Sequence, residues 1–199
     1  NAYAKSGASP DAQPSLTILA KEDNTNVKLL PKVDLVGGNG VAATLANNTL
    51  SITLNKGQYV QISQDVELTG RPIEADKPVA HWGAASCLNI PVDTDACDTA
   101  HQQIPPVKAL GFEYVGVRYR NRSTAMGEET PPWRLVGAVD GTTLTWSPST
   151  PTGAPTTLAS GEVAEFEAAG PFSVKSQDSD HPFYLAQYMT GCAHLGGSE

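Results

Sequence analysis

The stretch WRLVGAVDGTTLTWSP, residues 133–148, sets a β-type run on either side of an Asp-Gly turn, with apolar and polar side chains alternating in TTLTWS, and SLTILAKEDNTNVKLLP, residues 15–31, does the same around Asp23-Asn24, alternating in TNVKL. Alternation of this kind marks a strand with one buried face, and two such runs joined by a short polar turn mark a hairpin. Asp140-Gly141-Thr142 stands where the first segment has Asp23-Asn24-Thr25, and Pro31 and Pro148 close the two at the same spacing of 117 residues. Further on, LNKGQYVQI (54–62) aligns with LASGEVAEF (158–166) at a spacing of 104, and Asp76-Lys77-Pro78 aligns with Asp180-His181-Pro182 at that same spacing. Each segment then passes through an apolar strand, PVAHWGAASC or PFYLAQYMTGC, to a cysteine. Spacing shared by several turn-forming residues identifies an internal repeat of two copies.

The two spacings differ by 13 residues, which places an insertion in the first copy at residues 33–50. Gly37-Gly38-Asn39-Gly40 and Asn47-Asn48 within it predict an extra hairpin or a longer excursion. In the second copy the pattern predicts strands at Trp133–Val139, Thr142–Trp146, Glu162–Glu167, Phe172–Ser176 and Phe183–Met189. FEYVGVRYR (112–120) reads as one more strand of the first copy, without a counterpart before Glu199, and this asymmetry implies a longer natural polypeptide. The expected organisation is a flexible lead-in at 1–14, a first β repeat at 15–122, a polar linker at 123–132 and an incomplete second repeat at 133–199. No helix longer than two turns is expected, the best candidate being Thr99–Gln103 before Pro105-Pro106. The fold class is all-β, as two tandem related β-sandwich-like repeats, with propeller-like blades as the alternative.

Composition agrees with short strands and frequent turns: Gly (18) and Pro (15) are abundant, and charged residues make up only 17% of the chain. Lys and Arg number 13 against 21 Asp and Glu, a formal charge of -8 that disfavours nucleic acid and anionic membrane as partners. No apolar run approaches the ~18 residues a bilayer-spanning helix needs, so membrane insertion is not expected.

The three cysteines are Cys87, Cys97 and Cys192. In an oxidising compartment Cys87 and Cys97 would pair across the loop CLNIPVDTDAC, and the alternative is two reduced thiols. Closing such a loop is worth roughly 2.5–3 kcal/mol on the chain-entropy account. The preferred reading is the disulfide, with Cys192 left to a partner beyond Glu199. Asp93, Asp95 and Asp98 in the same loop are hard oxygen donors of the kind calcium takes, yet the Gly and distal Glu of a helix-loop-helix calcium site are missing. Solvated turn aspartates are the simpler reading, and neither metal nor cofactor is expected.

His81, His101, His181 and His194 show no paired ligand spacing, and His81 beside Trp82 reads as a structural histidine. A thiol triad of Cys87, His101 and Asp98 is conceivable, but a disulfide uses Cys87 more simply. GAASC lacks the nucleophile-elbow pattern and no phosphate-binding glycine loop is present, so an enzyme, a hydrolase at most, is the least favoured class. Tyr114, Arg118, Tyr119, Arg120 and Arg122 form the remaining cluster. Stacking and positive charge there could hold a glycan or an anion, whereas arginines fencing an edge strand are the plainer interpretation.

Taken together, EDNTNV and VDGTTL, the L-x-x-G strands, DKPVAHWG with DHPFYLAQYMTG, and above all C-L-N-I-P…A-C-D…Q-Q-I-P-P followed by F-E-Y-V resemble the N-terminal domain family named for the IgG Fc-binding protein of mucus. The resemblance covers residues 15–199. It implies an extracellular or cell-surface location, a multidomain adhesive context and no catalytic residues. The expected function is therefore a non-enzymatic interaction or adhesion module that meets a protein or glycan through its loops. A structural subunit that self-associates through an open sheet edge is the second reading.

Overall fold

The structure, a computed structural model, describes residues 13–70, 72–92, 98–122 and 128–195. Among these the chain is all-β, without an α-helix, and divides into two compact units, Asn1–Ile104 and Pro105–Glu199.

The first unit contains β1 (Pro14–Ala20), β2 (Thr25–Leu29), β3 (Leu50–Leu54), β4 (Tyr59–Ser63), β5 (Ile73–Ala75), β6 (Val79–Leu88) and β7 (Asp98–Gln103). They form a four-stranded sheet β4-β1-β6-β7 and a three-stranded sheet β3-β2-β5, with every neighbouring pair antiparallel. In β2, Thr25, Val27 and Leu29 are buried while Asn26 and Lys28 are exposed, as alternation requires of a half-buried strand. Ile18 and Ala20 of β1 and Val60 and Ile62 of β4 meet Val27, Leu29, Leu50 and Leu54 of the other sheet in one apolar cluster. Two sheets sharing one core is sandwich packing, which sets aside the propeller alternative.

The second unit contains β8 (Glu113–Gly116), β9 (Pro132–Gly137), β10 (Thr142–Ser147), β11 (Thr157–Leu158), β12 (Val163–Glu167), β13 (Phe172–Ser176) and β14 (Phe183–Gln187). Its sheets are β12-β9-β14 and β11-β10-β13-β8. Its core is aromatic: Trp133, Trp146, Phe166, Phe172 and Phe183 pack with Leu135, Leu144, Leu158 and Val174. All five strands expected for the second copy are present, and β11 adds a two-residue strand.

The repeat extends to individual hydrogen bonds. Thr25 and Thr142 are both fully buried, and each donates its hydroxyl to the carbonyl three residues back, Glu22 or Val139, at 2.8 Å. The Asp23 carboxylate accepts from the Lys56 amide at 3.0 Å, as Asp140 does from Ser160 at 2.8 Å. Gly57 (φ 78) and Gly161 (φ 68) make the matching turns in the left-handed region, where a Cβ is strained.

Several expectations change. The strand drawn from FEYVGVRYR is β8, and it pairs with β13 inside the second unit, Val174 opposite Tyr114. It therefore does not belong to the first repeat, and the units divide at Ile104/Pro105 rather than near residue 122. Thr99–Gln103, the best candidate for a short helix, lies in β7, where cross-strand pairing of Ala85 with Ala100 and Trp82 with Gln103 overrides a weak local preference. The match of Asp76 to Asp180 also fails in detail. Asp76 Oδ1 accepts from the Asn26 amide at 2.8 Å, and in the second unit Gln177 Oε1 accepts from the corresponding Thr143 amide at 2.8 Å. The insertion folds back as an extra hairpin, with paired backbone bonds between Leu35 and Thr44 and between Gly38 and Val41. Asn39 (φ 47) and Gly40 (φ 88) supply the tight turn that Asn-Gly favours.

Candidate functional site

The tyrosine and arginine cluster follows β8 and rims a broad open recess bounded by Val117–Arg122, Glu128 and Ala169–Pro171. Tyr114 is not on it. Its hydroxyl donates to the Phe183 carbonyl at 2.8 Å and accepts from the Gly111 amide at 2.7 Å, and its ring packs edge-on against Phe183 at 5.0 Å. Tyr114 is thus a structural anchor that ties β8 to β14, and burial pushes its phenol above the ordinary value.

Two of the arginines are likewise committed. Arg122 grips the Glu129 carboxylate through Nε (3.1 Å) and Nη2 (2.9 Å), and its backbone amide donates to Glu129 Oε1 at 2.7 Å. The same guanidinium reaches the Thr190 carbonyl at 2.6 Å and its hydroxyl at 2.7 Å. Glu129 is 3% exposed, and the hydrogen bonds from Arg122 hold its pKa down at about 2 against an ordinary 4.5, outweighing the cost of burial. Arg122 also lies 5.6 Å from the centre of the Tyr119 ring, a cation–π contact. Burial, reinforced by the Glu129 carboxylate, raises the Tyr119 phenol. Arg118 bonds to Asn121 and, at 2.7 Å, to Glu128. Arg120 is exposed on the recess rim. Of the five residues singled out from sequence, the structure gathers Arg118, Tyr119, Arg120 and Arg122 around one recess and takes Tyr114 away. Glu129 and Thr190 were missed. Glu129 sits in a polar stretch that reads as linker, and only its bond to an arginine seven residues earlier marks it.

The cysteine loop joins β6 to β7. Cys87 is half-buried where the β6–β7 register shifts, and Asp98 is exposed at the start of β7. Asp93, Asp95 and Cys97 lie outside the described residues. His81 is half-buried on β6, and burial lowers its pKa, which favours a neutral imidazole. His101 lies beside Trp82 with the two rings nearly parallel, 7° apart in plane and 6.2 Å between centres. His181 pairs with Asp178 through Nδ1 at 2.7 Å and lowers that carboxylate's pKa. His194 is exposed. Among the described residues no cluster of three His, Cys, Asp or Glu side chains is placed to hold a metal ion. None of the described helices is long and apolar enough to cross a membrane.

The sequence matches the family model described as IgGFc binding protein over residues 2–199. The chain belongs to that family. No curated protein and no solved structure matches it. Membership in the IgGFc binding protein family makes the chain one of a family of binding domains of extracellular type, and it identifies no partner.

Proposed function

We propose that the chain is a non-enzymatic extracellular interaction module of a larger secreted or cell-surface protein, and that it meets a protein or glycan partner through loops. The family match over residues 2–199 carries this reading. The arginine rim supports a loop-borne contact. Arg122 and Arg118 are braced by Glu129 and Glu128, which fixes the backbone from which the exposed Arg120 projects. A loop held this way loses little backbone freedom on binding. The Cys87–Cys97 disulfide belongs to the same proposal. Cys87 is engaged rather than free, and Leu88 and Asp98, the immediate neighbours of the two cysteines, are register partners. Peptide mapping without reductant should yield one cross-linked Cys87–Cys97 peptide, and two alkylated thiols would remove the disulfide from the reading.

The direct test immobilises the chain and passes over it IgG Fc, a mucin-type glycoprotein and a non-glycosylated control. Saturable binding weakened by Arg120→Glu at unchanged thermal stability is expected. Binding indifferent to Arg120→Glu would remove the arginine rim from the proposal, and no saturable binding to any of them would overturn it.

Self-association through a sheet edge is the second reading, favoured by one comparison. β6 has neighbours on both sides, β1 and β7, whereas its equivalent β14 pairs only with β9 among the described strands. Among the described strands β7 therefore has no counterpart in the second unit, just as β8, from FEYVGVRYR, has none in the first. A strictly monomeric mass by light scattering at high concentration would count against it.

A further inference from the structure

We propose that the outer face of the β4-β1-β6-β7 sheet is a platform for a neutral glycan chain, which lies across Trp82 and His101. This deepens the interaction-module reading by naming a ligand class, on a surface other than the arginine rim.

Residues directly opposite on neighbouring antiparallel strands share a sheet face. Ile18 faces the core together with its partner Val60, so the next row, Gln61–Thr17–Trp82–Gln103, faces outward across all four strands. Trp82 is the only one of the three tryptophans outside a core: Trp133 and Trp146 are 3% and 8% exposed. Trp82 is itself half-buried, and its same-face neighbours along β6 are Ala80 and Ala84, whose small side chains add little bulk beside the indole. His101, opposite Ala84 on β7, is exposed and sets its ring nearly parallel to the indole. At the other end of the diagonal Tyr59, opposite Leu19, is 65% exposed. From Tyr59 to His101 the stripe crosses three strand spacings and two rows, roughly 20 Å from sheet geometry.

The polar groups around the rings specify the ligand. Neither the Trp82 row nor the rows on either side of it carries an Asp, Glu, Lys or Arg, although the chain has 13 basic and 21 acidic residues. The polar side chains present are amides and hydroxyls, each able to donate and accept. A surface with flat aromatic faces, neutral hydrogen-bonding groups and no charge fits a ligand with apolar C–H faces ringed by hydroxyls, which is the chemistry of an uncharged sugar chain. Nucleic acid and anionic glycans would find no Lys or Arg in these rows.

The test is native affinity electrophoresis of the whole chain through gels containing galactomannan, xyloglucan or amylopectin, with heparin as the anionic control. Retardation by at least one neutral polysaccharide and none by heparin is expected. Ligand should also change tryptophan emission, and because Trp133 and Trp146 are buried that signal reports Trp82. Trp82→Ala and His101→Ala should each weaken retention, roughly tenfold for Trp82→Ala. Gln103→Ala, a smaller change at the edge strand, should weaken it while keeping the wild-type melting temperature, so the proposal stays exposed if Trp82→Ala misfolds. No retardation by any neutral polysaccharide, retention by heparin alone, or retention indifferent to Trp82, His101 and Gln103 would overturn it. Loss of binding to IgG Fc or another protein in Trp82→Ala, without glycan retention in the wild type, would make this face a protein interface instead. If Fc or mucin binding through Arg120 persists while all glycans fail, the platform alone falls and the interaction module stands.

Discussion

Thr25 and Thr142 hold the same post in the two units, fully buried with the hydroxyl returned to the chain's own backbone. Replacing Thr142 by the isosteric Val deletes one buried bond and leaves the Val139 carbonyl without it, so the second unit should lose about 1–2 kcal/mol in chemical denaturation. Glu129 matters more, because its partner is a cation and its surroundings exclude water. Its folded pKa of about 2 lies below the ordinary 4.5, so the stability it contributes is complete above 4.5 and is lost as pH falls toward 2. Glu129→Gln should be less stable than the wild type at neutral pH, and the two should converge in acid. Denaturant midpoints measured from pH 7 to pH 2 would show this, and parallel curves would refute it. Arg122→Ala leaves that carboxylate buried and unpaired and should cost about 3 kcal/mol. His81 works earlier in the titration. Burial lowers its pKa below the ordinary 6.5, so protonating it below that value favours unfolding before Glu129 begins to titrate.

At the scale of elements, β8 shows how a strand is fixed by what lies over it. The Phe172 ring packs onto Gly116, and a Cβ there would overlap it. That ring is also locked edge-on against Trp133 at 4.8 Å and tilted against Trp146 at 5.4 Å, so it has no room to withdraw. Gly116→Ala should destabilise by about 2–3 kcal/mol and perturb the near-ultraviolet circular dichroism of the aromatic core. Gly38→Ala, where nothing lies within 4 Å of the new methyl, should stay within about 0.5 kcal/mol of wild type. The elements legible in sequence were those with local chemistry: hairpins with polar turns, and the inserted hairpin with its Asn-Gly. Those misread lacked it. Asp98–Gln103 is exposed along nearly its whole length and has no apolar alternation, so only its pairing with β6 makes it a strand. Asp76 and Gln177 do the same work in a carboxylate and an amide, and the nearby Asp180 offered a better match in letters.

At the scale of the molecule, each unit owns a hydrophobic cluster drawn entirely from its own residues. Cutting the chain between Ile104 and Pro105 should therefore give two pieces that each unfold cooperatively. A second piece starting at residue 123 should fail, because it lacks β8, the Tyr114 anchor and the Arg122 partner of Glu129. Circular dichroism melts of the three pieces would decide, and a stable 123–199 would restore the boundary drawn from sequence. The sequence by itself determined the all-β class, the two copies, and most of their strands and polar turns, because alternation and left-handed turn residues act over a few positions. Only the tertiary structure decided which unit owns β8, that Thr99–Gln103 is extended, that Tyr114 is an anchor, and that Trp82 and His101 share one uncharged face. Each of these depends on which strands lie side by side, and pairing partners far apart in the chain leave no periodic mark in either strand.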